Sequence, residues 1–283
     1  MKIIYILFLV LLSVGCKKER ISVENLNGNK IGIIGHGGGG FGLISNPHEK
    51  DSYSSIVRGI SGFHADGAEL DCQLSSDGVI FLFHDQLLEQ STNYAGCLYQ
   101  YDSTSLSSCE FRKNSSFSKE YLTTLEKIFS IYTISNPKPY MFLDVRTEVI
   151  CPSTVVNQLA YEDSIAKEIL EVVLRYDYLE NVFVESANWL FLEKMKLLNP
   201  SVRLLYDGKI DLPTIQAAIA ANIYGLVGIN DETTKEQVSI AHQNNLRVVL
   251  FDAKSSQSQK ETVSKWPDFI QTDRIILLQR ILD

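Results

Sequence analysis

Positive charge, cysteine and long apolar runs are all scarce in this chain, and each scarcity closes a route. Lys and Arg number 26 against 34 Asp and Glu, for a formal net charge of −8. That balance leaves no basic surface to neutralise phosphates, which argues against nucleic acid as a partner. The five cysteines form no CxxC pair and no Cys/His spacing that would suit zinc. The N-terminal apolar run, Ile3 to Leu12, is too short to span a bilayer comfortably.

That run has a different use. Lys2 precedes it and Ser13-Val14-Gly15-Cys16 follows, a short charged-then-apolar export signal. Its end resembles a bacterial lipoprotein box, although Ser13 stands where Leu is usual. An ordinary cleaved signal and an uncleaved anchor are the other readings. The switch to Lys17-Lys18-Glu19-Arg20 favours the lipoprotein, with residues 1–15 as signal peptide and Cys16 as the lipidated residue. The expected location is then extracytoplasmic, with a membrane as partner through the lipid. Residues 16–29 are polar and aperiodic and read as a tether. Outside the cytoplasm Cys72, Cys97, Cys109 and Cys151 are an even set. Cys97 and Cys109 share one polar loop and could pair; four buried thiols is the alternative.

The whole chain is 45% hydrophobic, enough for residues 30–283 to form one large core without disulfides. Past residue 120 helical and apolar stretches alternate: Tyr140 to Val145, Asn181 to Glu185, Arg203 to Tyr206, Gly225 to Ile229, Arg247 to Phe251 and Phe269 to Gln271 read as strands with helices between. Such strand–helix units predict a parallel sheet closed into a (β/α)₈ barrel of the TIM type, α/β in class. With Lys30 to Ile34 and a hairpin there are nine candidate strands, so one must lie outside the barrel or be misread. Ser91 to Glu120 lacks a regular pattern and reads as an insertion loop, long enough to suggest a functional lid.

The hairpin, GAELDCQLSSDGVIFLFHD from Gly67 to Asp85, holds the densest chemistry. Glu69 and Asp71, two apart on a strand, share a face. Closure at Leu74 and Val79 would set His84 opposite Glu69 and Leu82 opposite Asp71. His36 follows the first strand, and Asp144 and Arg146 lie two apart at the end of MFLDVR. In such barrels working residues sit at the C-terminal ends of strands. Three carboxylates there suit a hard divalent cation, Ca²⁺ or Mg²⁺, and two histidines can supply a base and an acid.

These segments resemble the glycerophosphodiester phosphodiesterases, related in fold to bacterial phosphoinositide phospholipases C. GAELDCQLSSDGVIFLFHD is similar to that family's central hairpin, YLTTLEKIF to its Pro-Thr-Leu-Glu segment, and MFLDVR to its Ile-Glu-Ile-Lys strand. RVVLFDAK and DFIQTD resemble its last two strands, with Phe251 in place of Trp. The resemblance runs from Ile31 to Leu282. It implies a metal-dependent phosphodiester hydrolase acting on small glycerophosphodiester-like substrates. His36 and His84 would be the catalytic pair, Glu69, Asp71 and Asp144 the metal ligands, and Arg146 and Phe251 substrate contacts.

Two positions depart from the pattern. The family's His-Arg-Gly becomes His36-Gly37, so a phosphate-contacting Arg is missing, and Lys50 falls near an expected Glu. Four glycines from Gly37 could instead bring backbone N–H groups to an anion, making Gly37 itself a substrate contact. The missing Arg keeps a second expectation open, a non-catalytic barrel lipoprotein binding a phosphate- or sugar-bearing ligand.

Overall fold

The computed structural model describes residues 22–41, 47–113, 119–151 and 156–283. Cys16 and the apolar run before it lie outside them. Ten strands alternate with nine α-helices among the described residues. In chain order they are β1 (Gly32–Gly35), α1 (Tyr53–Val57), β2 (Gly67–Leu74), β3 (Ile80–Leu82), α2 (Ser103–Leu106), β4 (Thr123–Thr124), α3 (Leu125–Tyr132) and β5 (Tyr140–Val145). There follow α4 (Gln158–Arg175), β6 (Val182–Ser186), α5 (Trp189–Leu198), β7 (Arg203–Asp207), α6 (Leu212–Ala221) and β8 (Gly225–Ile229). The chain ends with α7 (Lys235–Gln243), β9 (Arg247–Phe251), α8 (Ser256–Ser264), β10 (Phe269–Thr272) and α9 (Ile275–Leu282). Most helices begin where a short polar side chain can take an orphan N–H: Ser52, Thr124, Asn157, Asn188, Asp211, Thr234 and Ser255 all do so.

Eight parallel strands, β1, β2 and β5 to β10, close into a barrel through the β1–β2 pairing. The surplus candidate is the hairpin's second strand: β3 runs antiparallel to β2, and a two-residue β4 pairs with it outside the ring. The barrel interior is filled by Ile34, Phe142, Phe183, Leu205, Val227, Val249 and Phe269. Phe142 and Phe183 stack with centroids 4.4 Å apart. Side chains on the other faces of the same strands, such as Leu70, Leu143 and Val184, join the helices in a larger outer core. Burying each of these side chains is worth roughly 1.5–3 kcal/mol.

Three expectations are corrected here. The hairpin closes one residue further on: Ser75 N–H donates to the Val79 carbonyl at 2.9 Å, and the ladder pairs Cys72 with Leu82 and Leu74 with Ile80. Gly78 takes φ +88° in the resulting three-residue loop, a conformation that favours glycine. His84 is therefore not opposite Glu69. The disulfide joins Cys97 to Cys151, not to Cys109; Cys109 and Cys72 are buried thiols. It staples the insertion to the segment after β5. The tether is shorter than expected, because Val23 is buried with Ile31, Ile270 and Ile281. The Asn25 side-chain amide also donates to the Lys30 and Pro267 carbonyls at 2.9 and 2.8 Å.

The insertion has structure of its own. Leu88, Leu98, Leu106, Cys109 and Phe111 pack against Phe81 and Phe83 in a separate small core. Among the described residues no helix is long and apolar enough to cross a membrane.

Candidate active site

Five of the seven plug residues are followed two positions later by a polar one, nearer the C-terminal end, while Val227 and Val249 are followed by Ile229 and Phe251. Phe142 is followed by Asp144, Phe183 by Glu185, Leu205 by Asp207, Phe269 by Gln271 and Ile34 by His36. On β2 the inward series is Glu69, Asp71 and Gln73. Glu69, Asp71 and Asp144 meet with ligand oxygens all within 4.8 Å of one another, the three acids expected from the sequence. Register explains it, since β2 and β5 pair Asp71 with Asp144 directly. Arg146 donates from Nη2 to Asp71 Oδ1 at 2.9 Å, and its buried Nε has no acceptor among the described residues.

The two histidines flank one phenyl ring. Phe41 stacks on His36 with centroids 4.2 Å apart and meets His84 edge-on at 5.9 Å. Phe251 closes the same rim, 6.4 Å from the His36 ring. His36 Nδ1 lies 3.0 Å from Asp273 Oδ1, and its Nε2 lies 3.9 Å from Glu69 Oε2. His84 reaches the rim after the chain has left the β3 ladder. The Gln73 side-chain amide donates to the Phe83 and Asp85 carbonyls at 2.7 and 2.9 Å and holds that corner. His84 Nδ1 lies 2.9 Å from Asp85 Oδ1 and within hydrogen-bond distance of Lys50 Nζ.

The N–H groups of the glycine turn, Gly37 among them, meet acceptors within the protein. The Gly37 N–H donates to Glu69 Oε2 at 2.8 Å, Gly38 donates to the Gly35 carbonyl, Gly39 to Ser55 Oγ and Gly40 to the His36 carbonyl. Glycine is needed for space as well as conformation. At φ +55°, a Cβ on residue 37 would lie 2.2 Å from the Phe41 ring and 2.8 Å from Lys50 Cβ.

Several residues of the site had no expectation attached: Lys50, Asp51, Gln73, Asp85, Glu185, Asp207, Gln271 and Asp273. Asp51 is fully buried and accepts the Asp71 N–H at 3.1 Å. Glu185 is held by the Gln271 amide at 2.8 Å. The repeated apolar–x–polar endings of the strands were the signal that could have found Glu185, Asp207 and Gln271.

So many acids in one cup shift each other. Burial pushes Glu69 well above the usual carboxylate range, and Asp71, Asp51, Glu185 and Asp144 push the same way. Burial and Asp71 likewise raise Asp51 and lift Asp144 to about 8, against the pull of Arg146. Asp207 is raised by burial to about 6. Asp85 goes the opposite way: burial alone would raise it, but the hydrogen bond from His84 and the Lys50 charge hold it well below the ordinary range. The hard oxygen donors of Glu69, Asp71 and Asp144 and their mutual repulsion fit a divalent cation.

A family model described as the glycerophosphoryl diester phosphodiesterase family matches residues 58–277. The chain belongs to that family. It is an enzyme of the phosphoric diester hydrolase class. A glycerophosphodiester phosphodiesterase of Caldanaerobacter subterraneus subsp. tengcongensis is 21% identical over 213 residues, 74% of this chain and 82% of the relative. One from Bacillus altitudinis is 24% identical over 217 residues, 74% and 83% of the two chains. Among solved structures, a phosphodiesterase of Oleispira antarctica, determined with the product sn-glycerol-3-phosphate, superposes with TM-score 0.75 at 19% identity, covering 89% of this chain and 96% of its own. The family barrel and the order of its strands are thus present here, with a lysine beside the rim histidine.

Proposed function

We propose that this enzyme hydrolyses glycerophosphodiesters with a divalent cation, Ca²⁺ or Mg²⁺, held by Glu69, Asp71 and Asp144, using His36 as base and His84 as acid. The observation that carries the reading is the pair of histidines facing each other across Phe41 above the three carboxylates. The cation, when bound, would draw charge from the phosphate oxygens and stabilise what builds up there. The Arg146 guanidinium, already turned towards the acids, offers its Nε–H to the same phosphate.

The two imidazoles have different surroundings. Asp273 accepts the His36 Nδ1–H, which leaves the Nε2 lone pair to take a proton from the attacking water. His84 meets a cation as well as a carboxylate at Nδ1, which keeps a proton available at Nε2 for the leaving alkoxide. A glycerol phosphate moiety as the common part of the substrate is supported by the product complex of the Oleispira antarctica relative.

His36→Ala and His84→Ala test the assignment on a panel of glycerophosphodiesters with Ca²⁺ or Mg²⁺. Each should lower kcat by roughly 10²–10⁴ with little change in KM, since each group moves a proton only in the transition state. No turnover by the wild type, with ligand affinity lost in each variant, would instead mark a site that holds a ligand and does not transform it.

A further inference from the structure

Lys50 occupies the space that residue 37 gives up. The Gly37 backbone leaves no room for a side chain there, because the Phe41 ring and Lys50 Cβ fill it. From that position the Lys50 ammonium lies 5.1 Å above the Phe41 ring centre, 3.1 Å from Asp85 Oδ1 and within hydrogen-bond distance of His84 Nδ1. An ammonium carries only donors. In the state in which Lys50 keeps its proton, His84 Nδ1 accepts from it and the ring's one proton sits on Nε2; in the other state Nδ1 carries the proton and donates to Asp85.

We propose that Lys50 and His84 form a proton relay in which Lys50 supplies the proton that lets His84 act as the acid. A neutral imidazole that lost its Nε2 proton unaided would become an imidazolate, a very weak acid's product. With Lys50 in place both ring nitrogens act together. Water attacks phosphorus and gives a proton to His36 Nε2. The bond from phosphorus to the leaving oxygen breaks, its electron pair goes to that oxygen, and the oxygen takes the Nε2 proton of His84. His84 Nδ1 takes a proton from Lys50, leaving a neutral amine. The cycle closes when His84 Nδ1 returns its proton to the Lys50 amine and the proton held by His36 reaches His84 Nε2 through solvent. The same atoms hold the second state, because an Nδ1–H donates to Asp85 Oδ1 at 2.9 Å. The charged groups around Lys50 are Asp85, His84, the buried Asp51 next in sequence, and Glu49, which accepts the Lys50 backbone N–H at 3.4 Å.

This rests on His84 being the acid, and two leaving groups separate the two ideas. One substrate is glycerol phosphate esterified to ethanolamine, whose alkoxide needs a proton. The other is its 4-nitrophenyl ester, whose phenolate leaves as the anion. Lys50→Met should lower kcat on the alkyl ester about 10²-fold and barely change the nitrophenyl ester. On the alkyl ester the variant's rate should fall off at a lower pH than the wild type's. Lys50→Arg should not rescue, since guanidinium keeps its proton. Thermal stabilisation by added Mg²⁺ or Ca²⁺, unchanged in both variants, checks that the site is intact. Rescue by Arg, or equal losses on both esters, would show that Lys50 acts only as a charge and overturn the relay. If His84→Ala also loses both esters equally, the acid role of His84 falls as well.

Discussion

At the scale of single residues, two groups sharpen what the acids are for. Asp144 is lifted from 3.8 to about 8, so the folded chain holds its proton more tightly than the unfolded chain. For a carboxyl raised in this way, the stabilisation is fully present below 3.8 and is lost as pH rises through about 8. The metal-free protein should thus lose Tm from about pH 4 to about pH 8, and the gain on adding Mg²⁺ or Ca²⁺ should grow over the same window. Asp144→Asn should flatten the first trend and Asp71→Asn should abolish the metal gain; an equal gain in Asp71→Asn would remove the cation site. Gly37→Ala places a Cβ against Phe41 at φ +55° and should lower Tm, the left-handed conformation alone costing about 1–2 kcal/mol. The acids were legible because a strand's period of two survives without any tertiary knowledge. Lys50 was not, because its relation to His84 crosses 34 positions and depends on a turn that only the folded barrel fixes.

At the scale of elements, the hairpin shows where local reading stops. Strand assignment succeeded for both halves, yet the register slipped by one because the loop holds three residues, with Ser75 pairing Val79. A slip of one residue moves a side chain to the other face. His84 still arrives at the mouth because it lies past the end of β3, held by the Gln73 amide and not by the ladder. Gln73→Leu should therefore lower kcat while leaving metal-induced stabilisation intact, a split that thermal shift and kinetics together would read. The Cys97–Cys151 bond closes a 54-residue separation that no spacing rule singles out. Cys151→Ser should destabilise by about 2–4 kcal/mol, measured by denaturant unfolding without reductant.

At the scale of the whole molecule, alternation of strand and helix was enough for the barrel, and the extra strand found its place as an antiparallel flap. The N-terminal segment lands at a telling position. Val23 and Asn25 pack beside Lys30 and Pro267, just ahead of β1 and β10, which is the end of the barrel opposite the histidines. If Cys16 carries lipid, wild-type protein should take up a fatty-acid probe in cells and Cys16→Ser should not; an unlabelled wild type would remove the anchor. Val23 lies seven positions after Cys16, a reach of roughly 25 Å at full stretch. With a lipid on Cys16, a protein held so closely by its floor would turn its mouth away from the bilayer. Diesters already free in the surrounding fluid would then be within reach, and headgroups still attached to the underlying leaflet would not.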